Sequence, residues 1–94
     1  MSEQEAETMK AVRFEVYADP GSEVYVAGSF NGWNPRYSRM SDETGSGQFS
    51  LTTYLPSGTY EYKFVINGIW CADPACPTWT SNAMGTLNSI LTVD

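Results

Sequence analysis

The chain has 94 residues, enough for one domain with a modest core and too few for a second catalytic lobe. Hydrophobic residues make up 41% and charged residues 17%, which argues against disorder because disordered chains are poor in apolar and rich in charged residues. The formal charge is -6. A surface of that sign repels phosphate backbones and anionic lipids, so we expect neither nucleic acid nor a membrane as a partner.

The chain contains no histidine, which removes the usual general base and the commonest metal ligand. Its two cysteines, Cys71 and Cys76, cannot by themselves complete a tetrahedral zinc site. No sequence spacing suggests paired carboxylates, and the short motifs typical of enzymes are absent. We therefore predict no metal, no cofactor and no catalytic activity. For the cysteines we expect two reduced thiols, with a loop disulfide as the alternative.

Residues 1–10 are polar and acidic without an apolar period, and we predict that they form a disordered tail ahead of a domain spanning 11–94. This start does not resemble a secretory signal, and no apolar run is long enough to span a bilayer. We therefore expect a cytoplasmic protein.

The domain is predicted to be all-β. Apolar and polar residues alternate with a period of two in five segments, 12–17, 24–27, 49–55, 60–66 and 87–93. Turn residues separate these segments, residues 72–86 are predicted to form a loop, and no segment has a helical period. Short strands at this spacing indicate an immunoglobulin-like antiparallel β-sandwich, of the early-set type, with no significant helix.

Asn67-Gly68 directly follows the fourth alternating segment and is the favoured pair for a two-residue type I′ hairpin turn. In that register Val65 pairs with Trp70. Because paired residues share a face of the sheet, Trp70 and Lys63 should lie together on the face opposite Phe64.

The aromatic content, 14% of the chain, is the strongest functional lead. Trp33 lies in a polar turn and Trp70 on the predicted outer face, where a large apolar ring needs a partner. An indole face stacks on the C–H face of a pyranose, and Lys63, Thr86 and Asn88 could bind its hydroxyls.

Structural alternatives remain open for these residues. Trp33 could close the end of the sandwich, and Trp70 could be covered by a loop or another domain. Lys63 could be a solvated charge paired with Glu61, and Asn88 a polar residue on an exposed strand face. Trp79 could cap the long loop and is left unassigned.

Three ordered blocks resemble carbohydrate-binding module family 48, the glycogen- and starch-binding domains. The first is Val-Tyr-Val-Ala-Gly-Ser-Phe-Asn-Gly-Trp-Asn-Pro at 24–35, and the second is Tyr-Glu-Tyr-Lys-Phe-Val-Ile-Asn-Gly-Ile-Trp at 60–70. The third is Asp73-Pro74 followed by Met-Gly-Thr-Leu-Asn at 84–88. The chain is similar both to the glycogen-binding domain of the AMP-activated protein kinase β subunit and to N-terminal modules of branching and debranching enzymes.

The resemblance implies a non-catalytic module that binds α-1,4-linked glucan and targets an attached or associated enzyme to the polysaccharide. That enzyme would be a kinase subunit or a catalytic domain of glycoside hydrolase family 13 type. The sugar-contacting residues that the resemblance implies are Trp33, Lys63, Trp70, Met84, Thr86 and Asn88. Met84 stands where the family is expected to have leucine, and the segment 80–85 is one residue longer than in the kinase-type relatives. The alternative function is a protein-docking or scaffold module that has lost its affinity for sugar.

Overall fold

The computed structural model describes residues 8–94, which form eight β-strands and no helix. The strands are β1 (Lys10–Tyr17), β2 (Val24–Gly28), β3 (Ser38–Arg39), β4 (Gln48–Leu55), β5 (Gly58–Ile66), β6 (Ile69–Cys71), β7 (Trp79–Ser81) and β8 (Leu87–Val93). All their pairings are antiparallel. The predicted all-β sandwich is confirmed. In the part of the chain described, no helix has the length and apolarity needed to cross a membrane.

The smaller sheet consists of β1 and β4, paired along their whole length from Lys10 with Leu55 to Tyr17 with Gln48. Val12, Phe14 and Val16 alternate with exposed residues, so one face of β1 is buried against the larger sheet. A bridge between Ser41 and Ser50 attaches the segment after β3 to this sheet.

The larger sheet is built around β5. Strand β2 pairs with the second half of β5, from Tyr62 to Ile66. Strand β8 pairs with its first half, from Gly58 to Tyr62, and β6 pairs with Phe64 to Ile66. Because a strand has only two edges and β2 occupies one, β6 and β8 lie end to end along the other. Lys63 therefore lies at the junction where β8 gives way to β6.

Aromatic rings fill the space between the sheets. The ring of Tyr62 lies edge-on to Phe14 and Phe64, with centroid distances of 5.0 and 5.7 Å, and Phe14 stacks on Phe30 at 5.5 Å. Phe64 is completely buried. Offset and edge-on pairs of this kind each add about 0.5–1.5 kcal/mol beyond area burial. The Tyr60, Tyr62 and Phe64 face of β5 belongs to the core.

The structure differs from the prediction at the tail and in the long loop. Strand β1 begins at Lys10, the last residue of the predicted tail. Thr8 and Met9 are exposed and belong to no strand, and residues 1–7 lie outside the described residues. The predicted loop 72–86 contains β7, and the two-residue β3 was not predicted. Trp79, which the sequence left unassigned, lies in β7 opposite Ser89, on the face that Tyr62 shares, and is 57% exposed.

Candidate functional site

The hairpin of β5 and β6 places Lys63 and Trp70 on the outer face of the larger sheet. Val65 pairs with Trp70, the register that the Asn67-Gly68 turn predicted, and both turn residues have positive φ, 50° and 83°. The Trp70 indole remains 44% exposed. It is therefore not covered by a loop of the described chain.

The turn after β2 carries Trp33 to the same face. The carbonyl of Gly28 accepts hydrogen bonds from the backbone N–H of Asn31 and of Trp33, at 3.1 and 2.9 Å. The Asn31 side chain fixes the turn from the other side, since its Oδ1 accepts from Gly28 N at 3.0 Å and its Nδ2 donates to Val26 O at 3.1 Å. Trp33 itself has a φ of 60°, a strained value for a bulky residue. Such strain costs about 1–3 kcal/mol and is concentrated at functional sites.

The two indoles line one cleft of about 650 Å³, which we call the indole cleft. All six residues expected to contact sugar line it, namely Trp33, Lys63, Trp70, Met84, Thr86 and Asn88. Asn82 and Ala83 complete the lining. Trp33 is half-buried and lines this cleft. Met84 is 88% exposed, so its flexible thioether side chain stands free at the rim.

Asn82, which the sequence reasoning missed, holds the loop that carries Met84 and Thr86. Its Oδ1 accepts from the backbone N–H of Met84 and of Thr86, at 2.9 and 3.1 Å. Its Nδ2 donates to Thr86 Oγ1 at 2.7 Å and to Asn88 Oδ1 at 3.1 Å. The signal that could have found it is an asparagine three residues before Gly85, because Asn side chains often bond to backbone two residues further on in turns.

The polar fringe of the indole cleft is rich in donors. Lys63 Nζ donates to Thr86 Oγ1 at 2.7 Å, and Asn82 Nδ2 donates to the same oxygen. A hydroxyl has two acceptor lone pairs and one proton, so with both lone pairs engaged the Thr86 proton is left to donate to a ligand. An ammonium group has three protons, and Lys63 keeps two of them for a ligand.

Asn88 is not on an exposed face, contrary to one alternative considered from the sequence, because it is only 7% exposed. Its Nδ2 donates to Glu61 Oε1 at 3.0 Å and its Oδ1 accepts from Asn82. Glu61 therefore has Asn88 as its hydrogen-bond partner, while Lys63 bonds to Thr86 and not to Glu61. One amide proton of Asn88 remains for a ligand.

The indole cleft is lined mainly by aromatic and uncharged polar side chains. Lys63 is the one titratable residue among those that line it. Within residues 8–94, no three His, Cys, Asp or Glu side chains are grouped so that they could hold a metal ion. In the described part of the chain, the two groups with shifted pKa values, Tyr62 and Cys71, lie on the core side of the sheet, and both cysteines are free. Two aromatic faces with a fringe of donors suit a ligand that has apolar C–H faces and many oxygen atoms.

Residues 11–94 match the family described as "Glycogen recognition site of AMP-activated protein kinase". The chain belongs to this family. The expected resemblance is thus confirmed, and with it the prediction of a non-catalytic carbohydrate-binding module of the glycogen- and starch-binding type.

Relatives of this chain come from a plant and from animals. The chain is 41% identical over 78 residues to Protein FLOURY ENDOSPERM 6, chloroplastic, from Oryza sativa subsp. japonica, covering 83% of the chain and 14% of that protein. It is 40% identical over 73 residues to 5'-AMP-activated protein kinase subunit beta-1 of Sus scrofa, covering 78% of the chain and 56% of the relative. The human subunit beta-1 is also 40% identical over 73 residues, with 78% and 25% covered. The chain thus spans between about one seventh and just over half of these relatives.

Proposed function

We propose that the indole cleft is where the module binds α-1,4-linked glucan, with Trp33 and Trp70 as stacking platforms for the sugar rings. The observation that carries the proposal is that two tryptophans from different elements, the turn after β2 and strand β6, line one open cleft beside a fringe of free donors. Two platforms from separate elements suit a curved amylose chain better than a flat ribbon of cellulose.

The free hydrogen-bond donors of the indole cleft indicate roles for its other lining residues. Lys63 and Thr86 donate to glucose hydroxyls, and Asn88 contributes its remaining amide proton while it positions Asn82. Met84 covers the apolar face of a sugar ring at the rim. A small, wet site of this kind should bind a maltooligosaccharide with a dissociation constant of order 10 μM to 1 mM.

The first experiment compares Trp70→Ala with Trp79→Ala, a matched loss of an exposed indole from the opposite face of the sheet. Isothermal titration with maltoheptaose, and migration in gels that contain glycogen, report binding. Because removing a stacked ring loses about 1.5–3 kcal/mol of burial, we expect Trp70→Ala to bind at least tenfold more weakly than wild type. Trp79→Ala should bind as wild type does. Equal binding by all three proteins, or binding by none, contradicts the proposal.

We further propose that the module holds an associated enzyme on the polysaccharide. The support is that the chain covers only part of relatives that include a protein kinase subunit, so a kinase-type partner is favoured over a glycoside hydrolase of family 13 type. The cytoplasmic compartment stays a prediction, because the name of the rice relative marks that protein as chloroplastic.

A further inference from the structure

A second pocket of about 380 Å³ lies on the other side of Trp70. Trp70 lines both this pocket, which we call the side pocket, and the indole cleft. The remaining lining includes Glu23, Tyr25, Arg36 and Asn67. The two pockets therefore share one indole as a dividing wall, on the same face of the larger sheet.

The far wall of the side pocket is rigid. Glu23 N donates to Asn67 Oδ1 at 2.9 Å, and Asn67 N donates to Glu23 O at 2.8 Å. These two reciprocal bonds fasten the start of β2 to the turn between β5 and β6. Asn67 Nδ2 also donates to Ser22 Oγ at 3.2 Å. A pocket whose wall is fixed in this way needs little ordering when a ligand binds, which favours affinity.

The charged side chains of the side pocket are available to a ligand. Within residues 8–94, neither the Glu23 carboxylate nor the Arg36 guanidinium has a side-chain hydrogen bond or ion pair, although Arg36 N is held by Asn34 Oδ1 at 2.9 Å. A carboxylate accepts hydrogen bonds and a guanidinium donates them, so together they match hydroxyl groups, which do both. An anionic ligand such as a phosphate would meet the Glu23 carboxylate and is disfavoured.

We propose that the side pocket is a second glucan subsite, which takes the glucose units of a chain that continues past Trp70 from the indole cleft. This inference rests on the proposed function of the indole cleft. In this arrangement Trp70 contacts sugar on two sides, and Glu23 and Arg36 bind the hydroxyls of the units beyond it. A chain too short to pass Trp70 makes none of these contacts.

The test uses two ligands and matched variants. Maltotriose and maltoheptaose are titrated by calorimetry into wild type, Arg36→Ala and Glu23→Gln, with Arg13→Ala as the control that removes an arginine from the smaller sheet. We expect wild type to prefer maltoheptaose. Loss of one solvent-exposed hydrogen bond should weaken maltoheptaose binding about threefold to tenfold in Arg36→Ala and Glu23→Gln. Maltotriose binding should stay at the wild-type value, and Arg13→Ala should resemble wild type with both sugars.

The outcomes separate this inference from the proposed function. If wild type binds neither sugar, the glucan-binding function of the indole cleft fails and the subsite fails with it. If wild type binds both, the subsite alone is overturned by any of three results. These are no preference for the longer sugar, unchanged maltoheptaose binding in the variants, or an equal loss for both sugars.

Discussion

At the scale of single residues, the Thr86 hydroxyl has an unusual role because both lone pairs of its oxygen accept hydrogen bonds. Lys63 Nζ and Asn82 Nδ2 both donate to Oγ1 at 2.7 Å. The hydroxyl proton is then directed away from both donors. The Thr86 oxygen therefore orients Lys63 on β5 and Asn82 in the loop. Its own proton is left to donate to a ligand.

Thr86→Val should weaken maltoheptaose binding, because it removes the donor and leaves Lys63 and Asn82 without their acceptor. The expected loss is about fivefold, the equivalent of one hydrogen bond worth about 1 kcal/mol. Thr86→Ser keeps the hydroxyl and should bind within about twofold of wild type. Calorimetric titration of both variants checks this, and a Ser variant as weak as the Val variant would contradict the prediction, because the hydroxyl alone would then not restore binding.

At the scale of elements, the end of β2 packs closely against β5. This close packing determines where the turn that carries Trp33 begins. A Cβ placed on Gly28 would meet the Glu61 carbonyl oxygen and Phe30 Cε2 at 2.5 Å, and Tyr62 Cβ at 2.9 Å. Gly32, in the same turn, has a φ of 69° and open space around it. Gly28 is therefore required by packing, and Gly32 only by backbone conformation.

Gly28→Ala should lower the free energy of unfolding more than Gly32→Ala. Overpacking against a backbone oxygen costs about 1–3 kcal/mol or more. Gly32→Ala should cost about 1 kcal/mol, the usual penalty for a left-handed residue with a side chain. Urea denaturation with matched m values measures both. Equal costs would mean that the strand end moves to accept the methyl group.

The elements also show how far the sequence could predict the structure. Alternation identified β1, β2, β4, β5 and β8, and Asn67-Gly68 determined the register of the β5–β6 hairpin, because each signal is local to its own element. Strands β3 and β7 have two and three residues, too few for a period, and depend on pairing with β2 and β8.

For the candidate site, the sequence and the family resemblance together named six of the eight lining residues. Asn82 was missed because its role depends on bonds to Thr86 and Asn88 that form only when the loop folds over the sheet. The side pocket was missed for a similar reason. Its wall joins residues 44 apart in sequence, Glu23 and Asn67, which no local pattern connects.

At the scale of the whole molecule, the buried phenol of Tyr62 connects β5 to the segment after β6 and, through that segment, to β8. The Tyr62 hydroxyl donates to Asp73 Oδ2 at 2.6 Å, and Asp73 N donates to Ser89 Oγ at 3.0 Å. Burial, and next the hydrogen bond to Asp73, raise the pKa of Tyr62 far above its usual range. Burial also raises the pKa of the Cys71 thiol.

Stability should therefore fall in alkali. Above about pH 10 the unfolded chain loses the Tyr62 proton while the folded state keeps it, so each further rise in pH favours unfolding. Below that pH the contribution is fully present. Above about pH 8.5 the unfolded chain also loses the Cys71 thiol proton more readily than the folded state does, which lowers the stability further. Urea denaturation between pH 8 and pH 11 should show that the free energy of unfolding falls more steeply with pH in wild type than in Tyr62→Phe, which retains Cys71. Parallel curves would contradict the role of the phenol.

The position of Trp79 on the core-side face has a spectroscopic consequence. The other two tryptophans, Trp33 and Trp70, both line the indole cleft. Replacing Trp79 by phenylalanine would leave a protein whose entire indole fluorescence comes from the two rings proposed to touch sugar. Its emission spectrum would then report occupancy of the cleft directly, without any attached dye.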